Sequence, residues 1–355
     1  MSVDIRPILI KRDVKLSFTY HHKTRDIVKN YDLPEARVLI AELLSNSFSR
    51  ARLNTASADI GLSRQGDGFH MAASKPTMKP VDLAHNRAKN HLVSAGGRAY
   101  LQALGLTDTK GQVLKTAQDK FRQINKYIEI VDGLIKDLPQ QKLTIVDMGA
   151  GKGYLTFALY DHVANTLKRE CSVTGVEFRG DLVKLCNEIA AVSQFDGLKF
   201  VEGTIAGYDC SGADIVIALH ACDTATDDAI AKAVLAKAQI IVVAPCCHKQ
   251  IRREMKTSDE STGLDFLLRF GTYEERLAEM VTDSLRAQLM ELSGYNCNLF
   301  EFISDTHTPK NVMIVAKRLE APRKEAAQLK IAEGIAKAKQ TFGIKAHHLE
   351  GLLAN

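Results

Sequence analysis

One stretch limits the folds open to this chain more than any other. Residues 143–148 read LTIVDM, apolar and rich in β-branched side chains, as a strand buried on both faces requires. Gly149, Gly151 and Gly153 follow in the spacing G-x-G-x-G, and residues 154–160 are apolar and compatible with a helix. Strand, glycine turn and helix in that order open a nucleotide-binding α/β unit. Glycine lets the backbone turn tightly and come close to a ligand with no Cβ in the way. A second strand at 171–176, CSVTGV, ends at Glu177. A carboxylate at that strand tip can accept both hydroxyls of a ribose, and its distance along the chain is near the roughly 20 residues expected.

Two cofactor classes share this layout. Dinucleotide-binding chains favour G-x-G-x-x-G, which seats a pyrophosphate on a helix N-terminus. Here the run is D-M-G-A-G-K-G, with Asp147 at the strand end before the first glycine. S-adenosylmethionine (SAM) has no phosphate but carries an α-ammonium, which an acidic strand end suits. The stretch VDMGAGKGYLT resembles the cofactor motif of class I SAM-dependent methyltransferases. That resemblance implies that Asp147, Gly149, Ala150, Gly151, Gly153 and Glu177 line the cofactor. The alternative for Asp147 is an ordinary buried acid in an unrelated α/β turn.

The rest of the core alternates strand and helix, which implies a parallel sheet with right-handed crossovers. Strands are expected at 144–148, 173–177, 198–201, 214–219 and 240–244, with a helix at 181–192. Phe121, Ile124, Ile128, Val131 and Ile135 recur at helical spacing, so 116–138 should be one helix facing the sheet, with Lys120, Gln123 and Lys126 projecting elsewhere, toward the cofactor mouth. After the third strand the resemblance places an adenine contact, which Thr204 and Ile205 would make through backbone and apolar surface. Two long strands at 295–303 and 311–317, joined by a turn at 307–310, match the terminal antiparallel pair of class I methyltransferases. The fold class expected is therefore α/β, a Rossmann-like seven-stranded sheet ending in an antiparallel pair, plus an N-terminal basic α+β region.

Chemistry in such sheets sits at the carboxyl ends of the strands. Leu219, His220, Ala221, Cys222 and Asp223 follow the fourth strand, and Pro245, Cys246, Cys247, His248 and Lys249 follow the fifth. Neighbouring strands should bring the two clusters together. With the glycine motif, these HAC and PCCH elements resemble a methyltransferase subgroup that includes a tRNA 2'-O-methyltransferase, the methyltransferase-like 25 group and the glutathione S-transferase C-terminal-domain-containing proteins. The likeness covers about 116–318; the cysteine-rich zinc-finger motifs of the tRNA enzyme are absent. Three chemistries stay open. His220 or His248 can act as general base, since imidazole titrates near neutrality; His220 is also placed at the cofactor. Cys246 or Cys247 can attack a pyrimidine ring as a nucleophile. Cys222, Cys246, Cys247 and His248 can bind zinc, although adjacent cysteines and the missing C-x2-C spacing argue against it. A buried structural cysteine pair is the remaining reading. Catalytic candidates are thus His220, Cys246, Cys247 and His248, with no metal expected. No N-P-P-Y element follows the fourth strand, which favours an oxygen acceptor or an unusual target over an exocyclic amine.

The flanks bear on the partner. Residues 1–140 hold 22 Lys and Arg against 14 Asp and Glu, so the remainder is slightly acidic although the whole chain is +5. A basic region beside a near-neutral core suits a polyanion such as RNA. Within it, 5–20 reads as two strands, Asp32 as the N-cap of a helix reaching Ser47, and 50–78 as short strands around turns. Basic clusters at 21–25 and 85–91 can touch phosphates or be solvated faces; so can Lys249, Arg252, Arg253 and Lys256. The segment 264–270 should pack on the core, and the Ala-, Lys- and Glu-rich tail after Arg318 should be an exposed helix. The domains expected are 1–112 for substrate capture, 113–320 for methyl transfer and 321–355 as a basic tail. A charged N-terminus, seven cysteines and no 18-residue apolar run suggest a cytoplasmic protein with no membrane partner. The function expected is SAM-dependent methylation of RNA, tRNA or rRNA, at a ribose hydroxyl or base. The alternatives are a small-molecule or protein methyltransferase, or a non-catalytic SAM- or RNA-binding protein.

Overall fold

Alternation of side chains along strands decides what each element packs against. The computed structural model describes residues 2–10, 13–22, 26–66, 68–77, 92–219, 221–256, 263–302 and 311–354. Its contacts divide the chain into two units, Met1–Asn90 and His91–Asn355.

In the first unit β1 (Ser2–Ile10), β2 (Asp13–His21) and β3 (Asp26–Asp32) form an antiparallel meander, with Ser2 opposite His21 and Lys15 opposite Asp32. Helix α1 (Leu33–Asn46) follows, its Pro34 in the first turn where a missing N–H costs nothing. A second meander is built from β4 (Arg50–Asn54), β5 (Asp59–Gln65) and β6 (Gly68–Ser74). Ile8, Phe18 and Ala36 are buried, whereas Val28, Val38, Leu53 and Met71 stay exposed. His21 does not stand free for a phosphate: its Nδ1 meets Asp26 at 2.9 Å and its Nε2 meets Asp4 at 3.1 Å. His22 is exposed, while Lys23 to Arg25 and the whole 85–91 cluster lie outside the described residues.

The second unit begins with α2 (Ala99–Ala103) and, after a 3-10 turn, α3 (Gln118–Ile135). Then come β7 (Lys142–Met148), α4 (Tyr154–Tyr160), β8 (Glu170–Glu177), α5 (Gly180–Val192), β9 (Leu198–Glu202), β10 (Ile215–Ala218), α6 (Thr224–Leu235) and β11 (Ile240–Val243). Helices α7 (Lys249–Lys256), α8 (Asp265–Leu268) and α9 (Gly271–Leu292) lead to β12 (Tyr295–Glu301) and β13 (Val312–Arg318); α10 (Glu325–Phe342) and α11 (His348–Leu353) end the chain. The seven strands lie in the order β12-β13-β11-β10-β7-β8-β9. Strands β9, β8, β7, β10 and β11 run parallel, and β13 is antiparallel to both β11 and β12. This is the Rossmann-like class I methyltransferase sheet, with its terminal antiparallel pair. The turn expected at 307–310 lies outside the described residues.

Both faces of the sheet are covered. Ile145, Ile215, Ile217, Ile240 and Val242 join one core with Phe121, Ile124, Ile128, Ile135 and Phe157. Val146, Val216, Ala218, Ile241 and Val243 point the other way, into a core with Ile230, Ile251, Leu285 and Met290. Tyr100, Leu101 and Leu106 belong to the first core, so chain ahead of residue 113 is part of this unit's packing. The tail is not merely an exposed helix: Ile335, Ile344 and Leu349 are buried in the second core. The 264–270 segment packs less than its apolar sequence suggests. Leu268 touches the core, but Phe266 and Phe270 are 68% and 51% exposed, because a one-turn helix presents only one side inward. Among the described residues no helix is long and apolar enough to cross a membrane.

Candidate active site

The end of β7 and the glycine turn form the floor of a cavity of about 690 Å³, a size that suits a cofactor-sized ligand. Gly149, Gly151 and Gly153 all adopt the left-handed backbone, with φ of 76°, 58° and 71°. The amides of Gly149 and Ala150 donate to the Val176 carbonyl at 2.8 and 3.0 Å, which ties the turn to the end of β8. The glycines divide into two kinds. Gly149 and Gly151 line the cavity, where a side chain would narrow it. Gly153 does not: a Cβ there would sit 2.9 Å from the Phe200 ring and 3.0 Å from Phe157. It serves close packing at the start of α4.

Two strand-end carboxylates face this space. Asp147 is buried, and its Oδ2 accepts a hydrogen bond from the Thr156 hydroxyl at 2.5 Å. Burial pushes its pKa up to about 6, and the Thr156 bond only partly opposes this. An acid so placed favours a cationic ligand group. Glu177 is also buried, yet its pKa is lowered. Desolvation works against the charge, but hydrogen bonds from the Arg179 side chain, the Arg179 amide and the Gly151 amide outweigh it. Arg179 Nε lies 2.8 Å from Oε1 and the Gly151 amide 2.8 Å from Oε2. A carboxylate has about four acceptor sites, so capacity remains for a ligand hydroxyl.

Of the residues named from sequence for the cofactor, Asp147, Gly149, Ala150, Gly151, Glu177, Thr204 and Ile205 line the cavity. Lys120 and Gln123 of α3 line it as well, with Lys120 Nζ 4.1 Å from the centre of the Tyr154 ring, whereas Lys126 does not and instead meets Glu129 at 3.1 Å. His220 lies outside the described residues. Cys222 is at the wall, while Cys246, Cys247 and His248 are not among the lining residues. His248 is buried, its Nε2 3.0 Å from Asp283 Oδ1, and its Nδ1 has no partner among the described residues. The two loops do converge: Cys222 Sγ is 3.2 Å from Cys246 Sγ and 3.7 Å from Cys247 Sγ. Desolvation and its thiol neighbours push Cys246 up to about 12, which leaves little thiolate for nucleophilic attack. Of the α7 cations, Arg252 is committed to Glu274 at 3.0 Å and Glu275 at 3.2 Å.

Sequence reading missed several lining residues, among them Phe178, Arg179 and Asp228. Phe178 and Arg179 follow Glu177 directly, and their position after the strand tip was the available signal. Asp228 lines the wall beside Cys222, and its Oδ1 is 3.0 Å from His348 Nε2 on α11. No local signal links residues 120 positions apart.

Residues 119–254 match the model of a family described as "Methyltransferase domain". This segment is a methyltransferase domain. The chain is accordingly a SAM-dependent methyltransferase, and the floor glycines, the buried Asp147 and the Glu177 strand tip fit that cofactor. Solved structures with a similar course of chain include magnesium protoporphyrin IX methyltransferase of Synechocystis PCC 6803, 16% identical, with a TM-score of 0.38, covering 62% of this chain and 98% of its own. An rRNA methylase of Streptococcus thermophilus is 10% identical, with a TM-score of 0.36, covering 54% and 96%. A dimethyladenosine transferase of Plasmodium falciparum is 11% identical, with a TM-score of 0.36, covering 65% and 72%. No curated protein matches the chain. None of these likenesses bears on the methyl acceptor.

Proposed function

We propose that this methyltransferase acts on RNA, at a ribose hydroxyl or a base. The observation that carries the reading is where the charge lies. Met1–Asn90 holds 15 Lys and Arg against 9 Asp and Glu, whereas His91–Asn355 holds 32 against 33. The entire positive excess therefore belongs to the unit without the cofactor cavity, as expected of a part that captures a polyanion. The resemblance of HAC and PCCH to a subgroup containing a tRNA 2'-O-methyltransferase supports the same substrate class.

When bound, SAM would supply a methyl group activated by its sulfonium. Asp147 would pair with its α-ammonium, Glu177 would accept from the ribose, and Thr204 and Ile205 would border the adenine. Gly149 and Gly151 let the backbone close on the cofactor. Leu219, Ala221 and Ala225 add apolar surface to the lining. Asp228, hydrogen-bonded to His348, offers a proton acceptor in that lining. Most of the rate comes from holding nucleophile and methyl carbon in line.

The test is transfer of radiolabel from SAM by the purified full chain to total cellular RNA, followed by nucleoside mass spectrometry. Label in 2'-O-methyl or base-methyl nucleosides is the expected result. Label confined to protein or small molecules would overturn the RNA assignment and leave the methyltransferase intact.

A further inference from the structure

Cys222, Cys246 and Cys247 come from two loops 24 residues apart, yet their sulfurs form a closed triangle with edges of 3.2, 3.7 and 3.8 Å. Among the described residues this is the one grouping of three metal-ligating side chains whose donor atoms all lie within 4.8 Å of one another. We propose that the three thiolates bind a zinc ion at the wall of the cofactor cavity.

The dimensions favour this ion. Zinc–thiolate bonds of about 2.3 Å at tetrahedral angles place the sulfurs about 3.8 Å apart. Two edges of the triangle already have that length, and the third opens slightly on coordination. The objection from sequence, that adjacent cysteines cannot serve one ion, fails here because Cys246 and Cys247 both turn their sulfurs toward Cys222. A disulfide between Cys222 and Cys246 would leave the third sulfur without purpose.

The loops are held for the task. Asp223, directly after Cys222, has φ 54° and ψ −123°, a strained backbone for a non-glycine residue. Its carbonyl accepts from Arg286 Nη2 at 2.9 Å, and its Oδ1 accepts from the Gln250 amide at 3.1 Å. Arg286 is 1% exposed and also grips Asp227 at 2.8 Å and Asp283 at 3.2 Å. Asp283 in turn holds His248, the residue after Cys247. One buried guanidinium thus fixes both thiol-bearing loops, as a preformed site requires. Three protein ligands leave a fourth position, the arrangement of zinc sites that take water or substrate rather than of closed structural ones. Cys222 lines the cavity, so the ion would sit beside it. The site does not depend on the acceptor being RNA.

The full chain, expressed without a polyhistidine tag and kept reduced, tests this by metal analysis and cobalt(II) titration. The expected result is about one zinc per chain and, with cobalt, the thiolate charge-transfer band and intense visible bands of a tetrahedral ion. Cys222→Ser and Cys246→Ser should each lose the band at least in large part, while Cys297→Ser, on β12, should keep it. Circular dichroism checks that the variants fold. Absence of the cobalt band in the reduced wild-type chain would overturn the proposal without any variant. So would a band unchanged in both site variants, or metal-free protein isolated with a Cys222–Cys246 disulfide.

Discussion

Replacing Asp147 by Asn should make the protein more stable and its cofactor site worse. The acid is buried and stays protonated up to about 6, against 3.8 for an ordinary aspartate. The sign follows from proton counting. Between those two pH values the folded chain holds a proton that the unfolded chain has lost, so stability falls as pH rises through the window. Above it the penalty is complete, on the order of 3 kcal/mol at about 1.4 kcal/mol per pK unit. Asn keeps the shape and can still accept from Thr156, but carries no charge to desolvate. At pH 8 without cofactor, Asp147→Asn should therefore gain up to about 3 kcal/mol, a Tm rise of several degrees for a unit of this size. At pH 4 the two proteins should melt together. SAM binding should move the opposite way: removing one partner of a buried charge pair costs about 2–5 kcal/mol, thirtyfold or more in Kd. Differential scanning calorimetry at both pH values, with calorimetric titration of SAM, checks each part. A variant less stable than wild type at pH 8 would refute the desolvation argument; unchanged SAM affinity would refute the placement of the ammonium.

Three further outcomes are expected. Gly153→Ala should lose about 1–3 kcal/mol in denaturant unfolding, since it combines a φ of 71° with a Cβ 2.9 Å from Phe200, while the lining glycines are not so crowded. Arg286→Met should lose about 3–5 kcal/mol, because it strands Asp227 and Asp283 in the interior, and the added double change Asp227→Asn should recover part of this. Glu177 has a lowered pKa, so its share of stability is present above the ordinary glutamate range and is lost as pH falls through the lowered value; Glu177→Gln should flatten that acid limb in a pH series of unfolding curves.

The sheet was legible because each strand carries its own signal. Ile145 and Val146, or Ile215 and Val216, are apolar on both sides, which only a strand between two helical layers needs. The glycine turn and Glu177 were legible for the same local reason. Gly153 shows the limit: its place in G-x-G-x-G suggests a ligand contact, but its role is set by Phe200, far along the chain. His248 reads as a base in sequence because nothing nearby reveals that Asp283 on α9 claims it. The Asp228–His348 pair and the meeting of Cys222 with Cys246 and Cys247 are likewise products of topology. In the first unit, exposed Val38, Leu53 and Met71 weaken the alternation on which such reading depends.

The charge at the cavity bears on how a large substrate is held. Lys120, Lys152 and Arg179 line it together with Asp147, Glu177 and Asp228, three of each sign. Such a wall offers a polyanion no net attraction, and SAM itself makes few long-range electrostatic demands. Under the proposed RNA assignment, affinity would then come from the basic excess of residues 1–90, where counterion release would make it salt-dependent. Raising salt should therefore weaken RNA binding steeply while leaving the SAM Kd nearly constant. Charge-neutralising substitutions in the first unit, such as Arg37→Gln with Arg50→Gln at exposed positions, should reduce the salt slope for RNA without changing SAM affinity. A salt dependence equal for both ligands would place RNA capture at the cavity itself and remove the assigned role of the N-terminal unit.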